Sequence, residues 1–352
     1  MAPLADNVLG AMERAVQRKA QPWNFTPPDF FSVCERFRGL ASEVIGTSSE
    51  NLAIVPSVSY ALATAAQNLP FQTGQEIVTL ADQFPSNVYA WRKLAQKRQG
   101  RVVSVQREAG DDWTAAVLDA IGPDTAIVAV PHCHWADGCM VDLEAVGEAC
   151  RAQGAALVLD LTQSLGAMPI DFAKVQPDFA VAACYKWMMG PYGIGVMYVA
   201  PHLQNGTPIE HNWINRLGAQ DFSRLVDYQD EYQEGARRFD MGEKSNPPLL
   251  EGACAGFEFL LEFGIDNIAD ALAEKSTKIA QAAKHIGLSS APIGIRASHF
   301  LSLDLPQDRV AGLVERLAEK NVYVSLRGQS LRVTPHLYNN DEDAEALLDA
   351  LA

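Results

Sequence analysis

Between about residues 50 and 200 the chain alternates short apolar runs with amphipathic stretches, and few architectures absorb that pattern. The runs LAIV (52–55), EIVTL (76–80), RVVSVQ (101–106), TAIVAV (125–130), ALVLD (156–160), DFAVAAC (178–184) and GIGVMYV (193–199) are mostly apolar along their whole length, not at every second position. Strands of that kind are buried on both faces. Between them YALATAAQNL, NVYAWRKLAQK, WTAAVLDAIG and LEAVGEACRAQ read as helices. Doubly buried strands joined by crossover helices predict an α/β fold around a mostly parallel, seven-stranded sheet. Ligands of such sheets bind beyond the carboxyl ends of the strands. The most polar residues of this stretch cluster there.

From about 203 to 247 the pattern turns polar and loop-rich (NGTPIEHNWINR, EGARRFDMGEKSNPP). After Pro248 come two long helical stretches, then HFLSLDL, a helix over 308–320, VYVSL, LRVTP and a helix over 341–352. The division expected is an N-terminal helical arm (1–22), a large domain (23–247) and a smaller α+β domain (248–352), which suits 352 residues. In the arm, Leu4, Val8, Met12 and Val16 recur at helical spacing, as for a helix lying on the body.

With 28 basic against 43 acidic residues the net charge is -15. Such a surface repels nucleic acid and anionic membrane, so neither is a partner to expect. No run approaches the ~18 apolar residues of a membrane-spanning helix, and the first residues lack the apolar core of a signal peptide. The six cysteines (34, 133, 139, 150, 184 and 254) are scattered through apolar segments without a C-x-x-C pair. That usage fits reduced thiols in a soluble, cytoplasmic protein.

The stretch ALVLDLTQSLGAMPIDFAKVQPDFAVAACYKWMMGPYGIGVMYV is the most informative. One apolar strand delivers Asp160 at its carboxyl end, and a second delivers Tyr185 and Lys186 at its own. Charges left unpaired among such neighbours carry a large penalty. An aldehyde cofactor with a cationic ring nitrogen satisfies both, the lysine as an imine and the aspartate beside the ring. Taken singly, each has a plainer explanation: a surface lysine at a strand end and an aspartate capping a helix.

The order strand-Asp-x-x-Gln, then Tyr-Lys-x-x-x-Gly-Pro-x-Gly-x-Gly, resembles the class V aminotransferases, a group of fold-type I pyridoxal-phosphate enzymes that includes cysteine desulfurases, kynureninases and isopenicillin N epimerase-like proteins. The resemblance runs from about residue 25 to the terminal helix. It implies pyridoxal 5'-phosphate as cofactor, Lys186 as its Schiff-base lysine, and Asp160 on the pyridine nitrogen. It places Val58 and Ser59 on the phosphate, at the start of a helix whose free amides suit an anion. Ser57 and Ser59 as plain N-caps are the local alternative.

By the same resemblance Phe84, in DQFPSNVYAW, stacks on the ring, with Asn87 where kynureninases carry an aspartate. Gln163 binds the phenolic oxygen, and Tyr185 occupies a phosphate-binding position where desulfurases have histidine. Trp213 and Asn246 match kynureninase cofactor positions and in this group often act from the second subunit, which implies a homodimer. For Trp213 a packed core tryptophan is the alternative. Trp135 stands where many relatives carry an asparagine.

LRVTPHLYN resembles the family's Arg-x-x-Pro segment, so Arg332 would pair with the α-carboxylate of an amino-acid substrate by a two-pronged contact that lysine cannot copy. Arg327 is the competing candidate. His132 and His134, near Cys133 and Cys139, match no standard zinc spacing, and no metal is expected. The activity implied is that of an amino-acid transaminase or a kynureninase-like or C–S lyase. A cofactor-binding protein without turnover, or a desulfurase with a relocated cysteine, stands as the alternative. A standard desulfurase needs a cysteine on a long loop before the arginine. Here KNVYVSLRGQSLR leaves room only for a tight turn, and no cysteine follows Cys254.

Overall fold

The computed structural model describes residues 2–108 and 110–352. Ten strands fall in two sheets. The first contains β1 (Leu52–Val55), β2 (Glu76–Leu80), β3 (Arg101–Val105), β4 (Thr125–Pro131), β5 (Ala156–Asp160), β6 (Phe179–Ala183) and β7 (Gly195–Val199), and the second β8 (Leu301–Asp304), β9 (Ser325–Arg327) and β10 (Ser330–Val333). The large sheet runs β1-β7-β6-β5-β4-β2-β3. All its neighbours are parallel except β7, which lies antiparallel to both β1 and β6. The seven-stranded, mostly parallel expectation holds.

Every residue of β4 and of β6 is buried, because helices cover both faces. The helices Asp29–Ile45, Leu143–Gln153 and Pro247–Phe263 close one side with Phe37, Val146 and Phe257. Helices Val58–Asn68 and Ser86–Arg98 close the other with Leu62 and Trp91. The three-stranded sheet, order β8-β10-β9 and antiparallel throughout, buries Leu301, Leu303, Leu331 and Val333 under the last helix, Asp341–Leu351. The long helix Ile265–His285 reaches both cores: Ile268 and Leu272 pack with the large sheet, Ile279 and Ala283 with the small one.

Three local expectations change. The N-terminal helix, Asp6–Lys19, buries Val8, Ala11 and Ala15, whereas Leu4 and Val16 are 37% and 57% exposed. A spacing of four residues advances about 40° per step, so four such residues cannot share one stripe. The helix expected over 308–320 is broken at Gly312, whose φ of 67° ends the helical path, into Gln307–Val310 and Leu313–Glu319. Of VYVSL only the end pairs, as β9. Among the described residues no helix is long and apolar enough to cross a membrane.

Candidate active site

The connection from β6 to β7 is where the parallel sheet reverses, and it carries Lys186. Its turn is tight. Met189 adopts a left-handed φ of 55°, its amide donating to the Lys186 carbonyl (3.0 Å), and the Gly190 amide donates to that of Cys184 (2.8 Å). Two glycines let neighbouring segments press on it. A Cβ at Gly166 (φ 98°) would lie 2.6 Å from the Trp187 carbonyl oxygen, and one at Gly256 would lie 2.5 Å from that of Met188. The packing therefore fixes where the lysine starts.

Two strands' carboxyl ends meet in one cleft of about 170 Å³, lined among others by Ser57, Val58, Ser59, Phe84, Asp160, Gln163, Tyr185 and Lys186. Asp160 ends β5 and is 7% exposed, one carboxylate oxygen accepting the Thr162 amide at 3.1 Å. Burial raises its pKa, against the Thr162 hydrogen bonds and the Lys186 charge. Burial lowers the pKa of Lys186; Asp160 opposes that, while Arg332 and Arg327 reinforce it. The Lys186 Nζ lies 5.6 Å from the centre of the Phe84 ring.

Ser57 caps the helix Val58–Asn68 by accepting the Tyr60 amide, and its hydroxyl lies 3.1 Å from that of Ser59. The N-cap reading thus holds for Ser57 and not for Ser59. Val58 and Ser59 form the first turn of this helix and line the cleft, and the free N–H groups and dipole of a helix start favour an anion. Gln163 is held from behind: its carbonyl accepts His299 Nε2 (2.6 Å), and its side-chain oxygen lies 3.5 Å from the Trp187 Nε1 donor. A planar, phosphorylated cation-bearing ring matches this donor set: amides for the phosphate at one end, a buried carboxylate at the other, an aromatic face between.

A second cleft of about 250 Å³ joins the first at Phe84, Trp135, Gln163, Tyr185 and Lys186. Its far wall comes from the small sheet. Arg332, Thr334 and His336 alternate along β10 and its extension, and Arg327 joins them from β9. The Arg332 guanidinium packs 4.8 Å over Phe300, and its Nε has no partner among the described residues. Its pKa falls to about 10, first through burial and then through the Arg327 charge. His336 is 2% exposed and neither ring nitrogen finds a partner among the described residues. Burial alone holds its pKa down at about 4, so the ring is neutral.

Other residues singled out from the sequence lie apart. Asn87 is fully buried behind the cleft and accepts the Trp91 Nε1 donor (2.8 Å); its neighbour Ser86 lines the cleft instead. Trp213 is 44% exposed in a surface groove with Leu217 and Tyr228. Asn246 caps the helix Pro247–Phe263 by accepting the Leu249 amide. His134 Nε2 lies 3.2 Å from the Asp82 carbonyl and Nδ1 lies 3.5 Å from Asp137. No group of three or more His, Cys, Asp or Glu residues among the described ones is placed to hold a metal. All six cysteines are buried.

Sequence reasoning missed His336, Trp187, Tyr192 and Thr162. The spacing of two from Arg332 to Thr334 to His336 was a usable signal, since a strand turns alternate residues to one face.

The aminotransferase class-V family model matches residues 28–342. The uncharacterised aminotransferase YcbU of Bacillus subtilis is 27% identical over 88% of this chain and 81% of its own length. A probable cysteine desulfurase of Pyrococcus abyssi is 28% identical over 66% of this chain and 57% of its own. Among solved structures, a complex of the cystine C–S lyase C-DES with its product cysteine persulfide superposes with a TM-score of 0.88 at 18% identity, covering 99% of this chain and 94% of that one.

Proposed function

The chain belongs to the class-V aminotransferase family of pyridoxal-phosphate enzymes, and on that premise we propose that it removes the α-proton of an amino acid and completes either transamination or loss of a β-substituent. The observation that carries this reading is the meeting of the two clefts at Lys186, with Asp160 on one side and Arg332 on the other.

Pyridoxal phosphate, when bound, supplies an aldehyde that condenses with amines and a cationic ring that withdraws electrons from the α-carbon. Asp160 would hold the ring nitrogen and its proton, and a cation beside it would oppose the upward push that burial gives its pKa. The amides of Val58 and Ser59 would hold the phosphate, Phe84 would cover the ring, and Gln163 would face its phenolic oxygen. Arg332 anchors the substrate carboxylate with two parallel N–H donors. Lys186 Nζ takes the α-proton: its lowered pKa leaves more free amine at neutral pH than an exposed lysine has. Whether that proton is then returned on the cofactor side or the β-substituent departs with its bonding electrons decides between the two outcomes. His336, neutral and unpartnered at the same wall, faces the substrate from beside Arg332.

The second copy in a homodimer would bring Trp213 and Asn246 to the cofactor. The exposed apolar residues Trp213, Leu217, Leu225, Val226 and Tyr228 support an interface at that loop. Sedimentation equilibrium should give a dimer that Tyr228→Asp weakens.

Arg332→Lys tests the functional reading. Bound cofactor and its colour should be unchanged while amino-acid affinity falls at least tenfold, because a point charge replaces a fork. If Arg327→Lys does the damage and Arg332→Lys behaves as the parent, the carboxylate anchor is misassigned.

A further inference from the structure

The substrate wall carries one guanidinium more than a simple amino acid needs. Arg327 lies opposite Ser330 across the β9–β10 pair, and Arg332 is opposite Ser325. Directly opposed residues share a face, so Arg327 and Arg332 are diagonal neighbours on one side of the hairpin, with Cα atoms ~7–8 Å apart. Both line the cleft that contains Lys186. Like charges so placed repel each other, and neither arginine has an ion-pair partner among the described residues. The Arg327 guanidinium donates to its neighbour's carbonyl, Leu326 (2.7 Å), and rests 5.1 Å over the Trp135 ring. Arg332 has no nearby carboxylate among the described residues, and its pKa is lowered first by burial and then by the Arg327 charge. The acid that faces Lys186, Asp160, lies in the cofactor cleft and not among the residues lining this one.

We propose that the substrate is an amino acid with an acidic side chain, whose second anionic group is held by Arg327 while Arg332 holds the α-carboxylate. This rests on Arg332 being the carboxylate anchor. The geometry distinguishes the two guanidiniums. Arg332 is half-buried, with one nitrogen unsatisfied among the described residues; Arg327 is exposed and packs on Trp135. An anionic group entering between them would relieve the repulsion of both, and a short substrate would leave Arg327 idle. The neutral His336 ring adds a hydrogen-bond donor on the same wall without adding charge.

The test uses the holoenzyme, titrated with aspartate, glutamate and cysteine sulfinate against alanine, leucine and cysteine, binding being read from the visible spectrum of the cofactor. The acidic series should bind at least tenfold more tightly. Arg327→Gln should remove that advantage, weakening the acidic ligands about tenfold or more and the neutral ones less than twofold. Neutral ligands binding as well as acidic ones to the parent overturn the proposal. So does an Arg327→Gln variant that weakens both series alike, which would mean that the two arginines share one carboxylate. A spectrum that no amino acid perturbs defeats the functional reading itself, and the substrate class with it.

Discussion

Asp240 sits under the loop that leads to Val58 and Ser59, and replacing it with asparagine should be expensive for a reason that can be worked through. Its side chain is fully buried. One oxygen accepts the Ile54 amide in β1 (2.7 Å); the other accepts both Arg38 and Lys244, the latter at 2.8 Å. Arg38 and Lys244 are themselves 0% and 1% exposed. In Asp240→Asn, Arg38 keeps Glu35 at 3.0 Å and the Leu52 carbonyl at 3.0 Å. Lys244 keeps only the neutral Asn215 oxygen at 2.9 Å. Breaking a buried ion pair from one side costs about 3–5 kcal/mol, and the surviving Arg38 partners place the expectation near 3 kcal/mol. Against a usual total of about 5–15 kcal/mol that is a large fraction. Urea denaturation followed by tryptophan fluorescence, on protein with and without added cofactor, measures it. The double variant Asp240→Asn, Lys244→Met should recover more than half, because it removes the stranded charge. An Asp240→Asn protein within about 1 kcal/mol of the parent would refute the reasoning.

Two further outcomes follow from buried groups. Burial holds His132, His299 and His336 at pKa values of about 4, 3 and 4, below the ~6.5 of an unfolded histidine. Above pH 6.5 they are neutral in both states. Below it the unfolded chain binds protons that the folded chain refuses, so stability falls with pH, by about 1.4 kcal/mol for each histidine at pH 5.5. Denaturation at pH 7.5 and 5.5 should differ by roughly 4 kcal/mol from these three, and equal stabilities would contradict their burial as neutral rings. Burial pushes Cys34 up to about 11 and Cys133, Cys139, Cys150 and Cys254 up to about 12. Native protein should therefore resist iodoacetamide and carry no persulfide after incubation with cysteine, whereas a sulfane-sulfur adduct on Cys133 or Cys139 at the rate of turnover would restore a desulfurase with a relocated thiol.

The large sheet was legible because β4, β5 and β6 are buried on both faces and write themselves as continuous apolar runs. The small sheet was less so. VYVSL has the composition of a strand, but β9 begins only at Ser325, since a short edge strand is set by its neighbour and not by its own pattern. Asp160 and Lys186 were readable as charges at the ends of apolar strands. For His336 the spacing of two from Arg332 was legible, but the burial and lack of a partner that mark its ring are visible only when its neighbours are known. Asn87 was placed by the resemblance; its side chain accepts the Trp91 Nε1 donor at a residue whose φ/ψ leave the helical range. The roles proposed for Trp213 and Asn246 would need a second copy, which no pattern within one chain displays.

The assignment of Lys186 is the claim on which the rest depends, and borohydride reduction tests it most directly. The reduced holoprotein, digested and mapped by mass spectrometry, should carry a stable pyridoxyl label on Lys186, and Lys186→Ala should carry none. A label on Lys93, Lys174 or Lys244, or a parent protein that takes up no label in the presence of pyridoxal phosphate, would contradict the account.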